Sequence, residues 1–433
     1  MPGNISNFFI NYNFKMNTLD QLCSSSKNSF DLTAPQDQES LIQLVDQLGP
    51  YPFAEVERLA LNGNAPLEFK LAFKVLASRR FVEANTRPLK IGIIFAMWGE
   101  QNRLLPKSGD NPNGEDLLNV KLRQLDWLFK NSAIDWRLYA VDDGCPYGRG
   151  RIAREIIRSS PLQEKVSVVF LEESLPAGSG PLRNLASAND SRKGGAIILG
   201  CQKALEDGAE AIVYTDADNS VHLGQTGLLL EKHLAEGYKV VLGNRKHEHS
   251  VLVKQESRWG IGIKALRHMQ RMVGHSIFSR GILDSQAAFK LYHRDVLEKI
   301  LEKPSVYDFS FDSDWIACTL ALNEPFAKVP FAFIDSFAES ASIVQGPMTT
   351  WETLLKGLVT AVRERGVPYN EEMAGVIDDH IDSSKDLDVL INHLPRELEA
   401  VADNRLGDPA VMSPAAMAAW IVAKKEEALQ NPA

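Results

Sequence analysis

The chain has 433 residues, 44% of them hydrophobic and 24% charged, which suits one large α/β domain plus a smaller appendage. Its formal net charge of -9 argues against broad nucleic-acid binding and leaves room only for a local basic groove. Cys23, Cys145, Cys201 and Cys318 form no CxxC pair and read as reduced thiols of a cytoplasmic protein; no apolar run nears the roughly 18–20 residues of a bilayer span, and the first residues lack the basic start and apolar core of a secretory signal.

Residues 1–86 read as an N-terminal helical extension. Its polar start, rich in Asn, Ser, Asp and Gln, is expected to be poorly ordered. Apolar spacing predicts one or two amphipathic helices between Glu39 and Leu61, and another over Leu67–Val82. Arg79 and Arg80 on the latter are phosphate candidates, with a solvated face as the plainer reading.

From Lys90 strands alternate with helical patterns. Strands are predicted at Ile91–Met97, Leu138–Val141, Val166–Leu171, Ala211–Tyr214 and Lys239–Leu242. Helices are predicted at Asp116–Phe129, Arg149–Ser159, Gly195–Leu205 and Gln225–Ala235. That alternation predicts a mostly parallel sheet with helices on both faces, over residues 87–345. Ile282–Tyr292 reads as strand-like. Phe326–Ile334 reads as one further strand, at an edge because Pro330 interrupts it.

Residues 257–280 break the alternation. Lys264, Arg267, His268, Arg271 and His275 fall near one helical face and apolar residues on another. Such a helix could gather phosphates, rest on an anionic membrane surface, or simply show a solvated face. Residues 346–433 read as a C-terminal helical region without chemistry of their own, suited to packing, a homo-oligomer interface or a partner.

The stretch Ala211–Asn219, AIVYTDADN, is the chemical centre. A buried strand breaks into Asp216 and Asp218, one residue apart, at the end where open α/β sheets present ligands. Two such carboxylates could hold Mg²⁺ or Mn²⁺ with positions left open for phosphate oxygens, or could be solvated turn residues. Asp142, Asp143 and Gly144 follow the second strand, and Asn244 and Arg245 follow the fifth. Lys193 and Gly194 open a helix, where a glycine pair lets backbone N–H groups approach an anion. Together these clusters describe a site for a nucleoside diphosphate and a cation. His247 and His249 are loop histidines for which an ordinary surface role outweighs metal binding.

The motifs VDDG at 141–144, KGGA at 193–196, DAD at 216–218, LGNR at 242–245, DSQAAFK at 284–290 and FSFDSD at 309–314 occur in the order seen in family 2 glycosyltransferases. The chain resembles that family, and within it the dolichyl-phosphate glucosyl- and mannosyltransferase branch, over about residues 88–345. It departs at Cys145, Asn244, Ala287, Ala288 and Asp314, and Glu100 stands near where the family places a glutamate after its first strand. The resemblance implies a GT-A fold and inverting transfer of a hexose from a UDP- or GDP-sugar, with Mn²⁺ or Mg²⁺ on Asp216 and Asp218.

It further implies nucleotide-sugar contacts from Glu100, Asp142, Asp143, Gly144, Lys193, Gly194, Asp216, Arg245, Asp284 and Gln286. Asp312 is the candidate base for an acceptor hydroxyl, with Asp314 second. A phosphate acceptor would need no base and would be held by Arg267 and Arg271. The acceptor is a small molecule, a glycan or a lipid phosphate, which leaves peripheral membrane contact open. Two other readings compete. One is a sugar-1-phosphate nucleotidyltransferase, faintly echoed by MWGEQNRLLPKS at 97–108. The other is an inactive nucleotide-sugar-binding protein.

Overall fold

The apolar runs at the centre of the sheet are strands buried on both faces, as a central parallel sheet requires, while those at its two edges are only partly buried. The computed structural model describes residues 18–99, 101–254, 260–335 and 346–430. Among these, seven strands form the main sheet: β1 (Leu89–Met97), β2 (Ile134–Asp142), β3 (Val166–Phe170), β4 (Ala211–Thr215), β5 (Val240–Asn244), β7 (Phe289–His293) and β8 (Phe326–Pro330). The order is β3-β2-β1-β4-β7-β5-β8. All pairings are parallel except those of β7, which runs antiparallel to both β4 and β5.

Side-chain alternation sends Ile94, Tyr139, Ile212 and Tyr214 to one face and Ile93, Leu138, Ala211 and Val213 to the other. The first face packs under helices Gly194–Glu206, Ile263–Val273, Phe311–Ala321 and Pro347–Arg365; the second under Leu117–Phe129 and Thr226–Leu234. This is the α/β layering expected from the sequence.

Two strand readings change. Only Phe289–His293 of the stretch 282–292 is strand. Phe326–Ile334 is two strands: β8 at the sheet edge, as Pro330 implied, and β9 (Ala332–Ile334), which leaves to pair in parallel with β6 (Val251–Val253). Residues 330–331 are where the chain changes sheets.

The extension contributes helices Leu19–Ser25, Pro35–Leu48, Phe53–Ala60 and Leu67–Ala84, whose apolar faces pack on one another and on Val251, Ala332 and Ile334. The expectation of a poorly ordered start concerns residues 1–17, which lie outside the described residues. Arg79 pairs with Asp46 and Glu83, and Arg80 donates to the carbonyls of Gly49 and Tyr51, so both serve the helices rather than a phosphate.

Helix Ile263–Val273 is not a free basic face. His268 is fully buried, its Nε2 2.9 Å from the Met412 carbonyl, and Lys264 donates to the Glu399 carbonyl. Among the described residues no helix is long and apolar enough to cross a membrane.

Candidate functional site

The C-terminal ends of β1, β2, β4 and β5 rise on one rim, and because β7 is reversed its entry loop joins them there. A cleft of about 530 Å³ opens at this rim, lined among others by Asp143, Lys193, Asp216, Asp218, Arg245, Gln286 and Asp312. The carboxylates after β2 and β4 therefore share one cleft.

Asp216 ion-pairs with Lys193. Burial works to raise its pKa, but the Lys193 ammonium, with Arg245 and Lys121 behind it, holds the carboxyl below its usual range. Burial also acts to lower Lys193, yet Asp216 and Asp312 outweigh it and keep that ammonium raised. Asp218 accepts from the Ser220 N–H at 3.1 Å and lies 3.8 Å from the Arg103 guanidinium. Beneath it Lys121 Nζ donates to the Asp218 carbonyl at 2.7 Å, and the Asn219 N–H donates to Glu115 at 3.0 Å, which fixes the turn. Among the described residues no group of three His, Cys, Asp or Glu side chains is set to hold a metal. The two aspartates nevertheless fit a hard cation that completes its shell with water and diphosphate oxygens.

Asp143 is 3% exposed, and its Oδ2 accepts the Lys193 backbone N–H at 2.6 Å. That bond holds a strained corner, since Arg192 and Lys193 both have positive φ, +136° and +88°. Burial pushes the Asp143 carboxyl up to about 7.

Asp312 lies in the first turn of helix Phe311–Ala321 and is 2% exposed, lining the cleft. The Tyr214 hydroxyl contacts it, and Lys290 Nζ lies 2.6 Å from its Oδ1. Tyr214, Tyr292, Phe311 and Trp315 stack around it with ring centroids 5.3–6.4 Å apart, a rigid floor worth about 0.5–1.5 kcal/mol per pair. Burial drives the Asp312 carboxyl well above the usual carboxylate range, with Lys193 opposing. A buried carboxyl with raised proton affinity in a cleft is a candidate functional group.

Several predicted residues sit behind the cleft rather than in it. Asp142 accepts from the N–H groups of Cys145 and Gly150, at 3.0 and 2.6 Å, and holds the turn that Gly144 makes at φ +69°. The expected ligand-facing glycines are also spent internally: Gly195 N–H donates to the Tyr307 carbonyl, and a Cβ on Gly194 would lie 2.6 Å from that same group. Asp284 is forked to Arg245 at 2.8 and 2.7 Å, so it aims the guanidinium at the cleft instead of shaping a sugar pocket. Burial opposes ionisation there, but Arg245 holds the Asp284 carboxyl at about 2.

Asp314 is fully buried. Arg365 takes both its oxygens at 2.6 and 2.8 Å, and Ser305 Oγ donates at 2.6 Å, so it is a structural anion and not an acceptor base. Arg271 is committed to Asp403, with Arg267 at 4.0 Å from the same carboxylate; neither lines the cleft. Glu100 lies outside the described residues.

Other lining residues were not singled out as ligand contacts in the sequence, though Phe309 opens the motif FSFDSD. Arg103 and Arg192 add cations, Phe309 and Phe333 add aromatic walls, and Thr350 and Leu354 come from helix Pro347–Arg365. The C-terminal region, read as free of chemistry, thus walls the cleft. Lys246 and Lys254 act electrostatically on the Arg245–Asp284 neighbourhood. Desolvation and neighbouring cations push both ammonium groups down.

No protein-family model matches the chain. It is 24% identical over 180 residues to an undecaprenyl-phosphate mannosyltransferase of Micrococcus luteus, covering 39% of this chain and 72% of the relative. Among solved structures it is similar to a glucosyl-3-phosphoglycerate synthase of Mycobacterium tuberculosis in complex with Mn²⁺, UDP and glucosyl-3-phosphoglycerate. The TM-score is 0.40 at 12% identity, over 68% of this chain and 85% of that one. A mannosyl-3-phosphoglycerate synthase of Rubrobacter xylanophilus gives 0.40 at 11% identity, over 69% and 80%. Global likeness at these scores says nothing of chemistry. In motif order the chain resembles the family 2 glycosyltransferases, and it is similar in sequence to a glycosyltransferase, the curated relative.

Proposed function

We propose that this chain is a family 2 glycosyltransferase that moves a hexose, with inversion, from a UDP- or GDP-sugar to an acceptor hydroxyl or phosphate. The observation that carries the reading is the convergence of Asp143, Lys193, Asp216, Asp218, Arg245 and Asp312 on one cleft. Asp143 offers a buried carboxylate to base or ribose N–H and O–H groups. Lys193 and Arg245 stand where a diphosphate would lie, and their charge offsets the negative charge that grows on the leaving group. A divalent cation on Asp216 and Asp218 would add Lewis-acid stabilisation of the same oxygens.

The acceptor oxygen forms a bond to the anomeric carbon while the bond to the diphosphate oxygen breaks, and the electron pair leaves with the diphosphate. With a hydroxyl acceptor, the proton passes to Asp312. Gln286, bonded to Ser313 at 3.3 Å, lines the wall beside that base.

An anionic acceptor is supported by a different observation. Lys246 and Lys254 stand near Arg245 and Arg267, whose own charges Asp284 and Asp403 partly offset, and the curated relative is by name an enzyme of a lipid phosphate. The deciding experiment is a screen of nucleotide sugars for Mn²⁺-dependent hydrolysis and thermal stabilisation, with free hexose and nucleoside diphosphate as products. Release of pyrophosphate from UTP and a sugar phosphate would instead favour nucleotidyl transfer. Nucleotide binding without turnover across a broad acceptor panel would favour an inactive binder.

A further inference from the structure

A second cavity, of about 450 Å³, lies between the N-terminal helices and β6, away from the donor cleft. Its wall includes Asn28, Asn62, Lys70, Lys74, His249 and Ser250. Lys74 is the unusual member. It is 6% exposed, on a helix whose other buried positions are mostly apolar; its Nζ lies 5.6 Å from the Phe73 ring centroid, a weak compensation, and no carboxylate lies within ion-pair distance of it among the described residues. Burial pushes its ammonium down to about 8, and Glu57 only partly opposes this through space. A buried unpaired cation costs several kcal/mol unless something compensates it, and a leucine or methionine would fill the same space without that cost.

Lys70 stands one turn earlier on the same face and lines the same cavity, its Nζ 2.9 Å from the Gly63 carbonyl. Two like charges at this spacing are mutually destabilising. His249 adds a third nitrogen-bearing group, and Asn28 and Asn62 add amide donors. The one acid in the wall, Glu248, is 80% exposed and turned to solvent. Cations gathered in a hollow of a chain with net charge -9 run against the trend of the whole surface.

We propose that this cavity is a second ligand site, taking the phosphate or carboxylate group of a small molecule between Lys74 and Lys70. The anion would restore the pairing that Lys74 lacks, and the amides of Asn28 and Asn62 would complete its hydrogen bonds. The site is independent of the donor reading. The apolar rim of Leu61, Leu252 and Val253, each 37–41% exposed, is suited to the body of such a molecule or to the chains of a lipid carrying the same head group.

The test is a titration with inorganic phosphate, and separately with acetate, of the full chain whose donor cleft is saturated with UDP and Mg²⁺. Thermal unfolding is the readout, because an anion bound only to the native state raises Tm with concentration. Phosphate is expected to raise Tm in the wild type and not in Lys74→Met. Reductive ¹³C-methylation gives a second readout, in which the Lys74 signal shifts on adding phosphate. Should Lys74→Met not fold, Lys70→Met, at the half-buried partner, is expected to weaken the phosphate response at least about threefold by loss of one charge-assisted bond.

Flotation with phosphatidylcholine vesicles, with and without phosphatidylglycerol, separates the sources. Lys74-dependent flotation assigns the site to a lipid head group, and a response to soluble phosphate alone assigns it to a metabolite. An unchanged wild-type Tm at tens of millimolar phosphate with no Lys74 shift and no flotation overturns the proposal. So does a Tm rise of equal size in Lys74→Met, which would be the general stabilisation that excluded salts give any fold.

Discussion

Asp312 and Asp314 stand two residues apart, and the proposed mechanism gives them opposite jobs that turnover can separate. Asp314 is fully buried and forked to Arg365, which is itself 9% exposed. Replacing Arg365 with Met would leave a carboxylate in the core with only Ser305 to satisfy it. Breaking one side of a buried pair of this kind costs about 3–5 kcal/mol. The double variant Asp314→Leu/Arg365→Met removes both charges and should recover most of that loss. Urea unfolding measures these differences, and initial rates on the productive nucleotide sugar measure turnover. Asp314→Asn should be destabilised yet keep its turnover number below its melting range. Asp312→Asn leaves the buried Lys290 ammonium facing an amide and should also be destabilised, but below its melting range it should lose roughly 10²–10⁴ in turnover with a hydroxyl acceptor. The assignment fails if Arg365→Met costs under about 1 kcal/mol, or if Asp314→Asn is stable and inactive.

The remaining predictions concern the donor side and the backbone that shapes it. Asp218→Ala should abolish divalent-dependent affinity for UDP and GDP; unchanged calorimetric binding in Mn²⁺ would count against the cation site. Asp143 should make stability fall as pH rises. Its folded pKa of about 7 exceeds the ordinary value of 3.8, so the folded state holds its proton longer and loses stability across that interval, by at most about 4 kcal/mol. Asp143→Asn should flatten the difference in unfolding free energy between pH 5 and pH 8, and an unchanged slope would refute the shift. Gly194→Ala should cost about 1–3 kcal/mol in urea unfolding, because its Cβ would meet the Tyr307 carbonyl carbon and oxygen.

The sheet was readable because each strand is a short apolar run closed by polar residues, and a helix follows most of them. Strand direction was not readable. Nothing in Phe289–His293 says that it runs against its neighbours, since antiparallel and parallel central strands bury the same residues. The change of sheet at 330–331 was hidden for a related reason: an unbroken apolar run carries no mark of which partner it will pair with.

In the site, Asp143, Asp216, Asp218 and Arg245 were visible as polar breaks after apolar runs, Lys193 as the residue before a helix-opening glycine pair, and Asp312 through the motif FSFDSD. The choice between Asp312 and Asp314 was not, although one signal existed. Helix Phe311–Ala321 turns about 100° per residue, so positions two apart face nearly opposite ways. Arg365, the partner that engages Asp314, lies 51 residues on. Thr350 and Leu354 had no signal at all, because lining a cleft needs no particular residue type.

The reversed strand has a consequence for how this protein is made. β4, AIVYT, is apolar throughout and fully buried in the finished sheet, yet its outer neighbour is β7, some seventy residues later in the chain. While the chain is leaving the ribosome, β1 to β4 can zip together, but β4 then presents a bare edge that β5 does not cover. Until Phe289–His293 emerges to cap it, that edge is open to any passing extended segment. Synthesis halted between these two strands should therefore yield a nascent chain that needs chaperone cover.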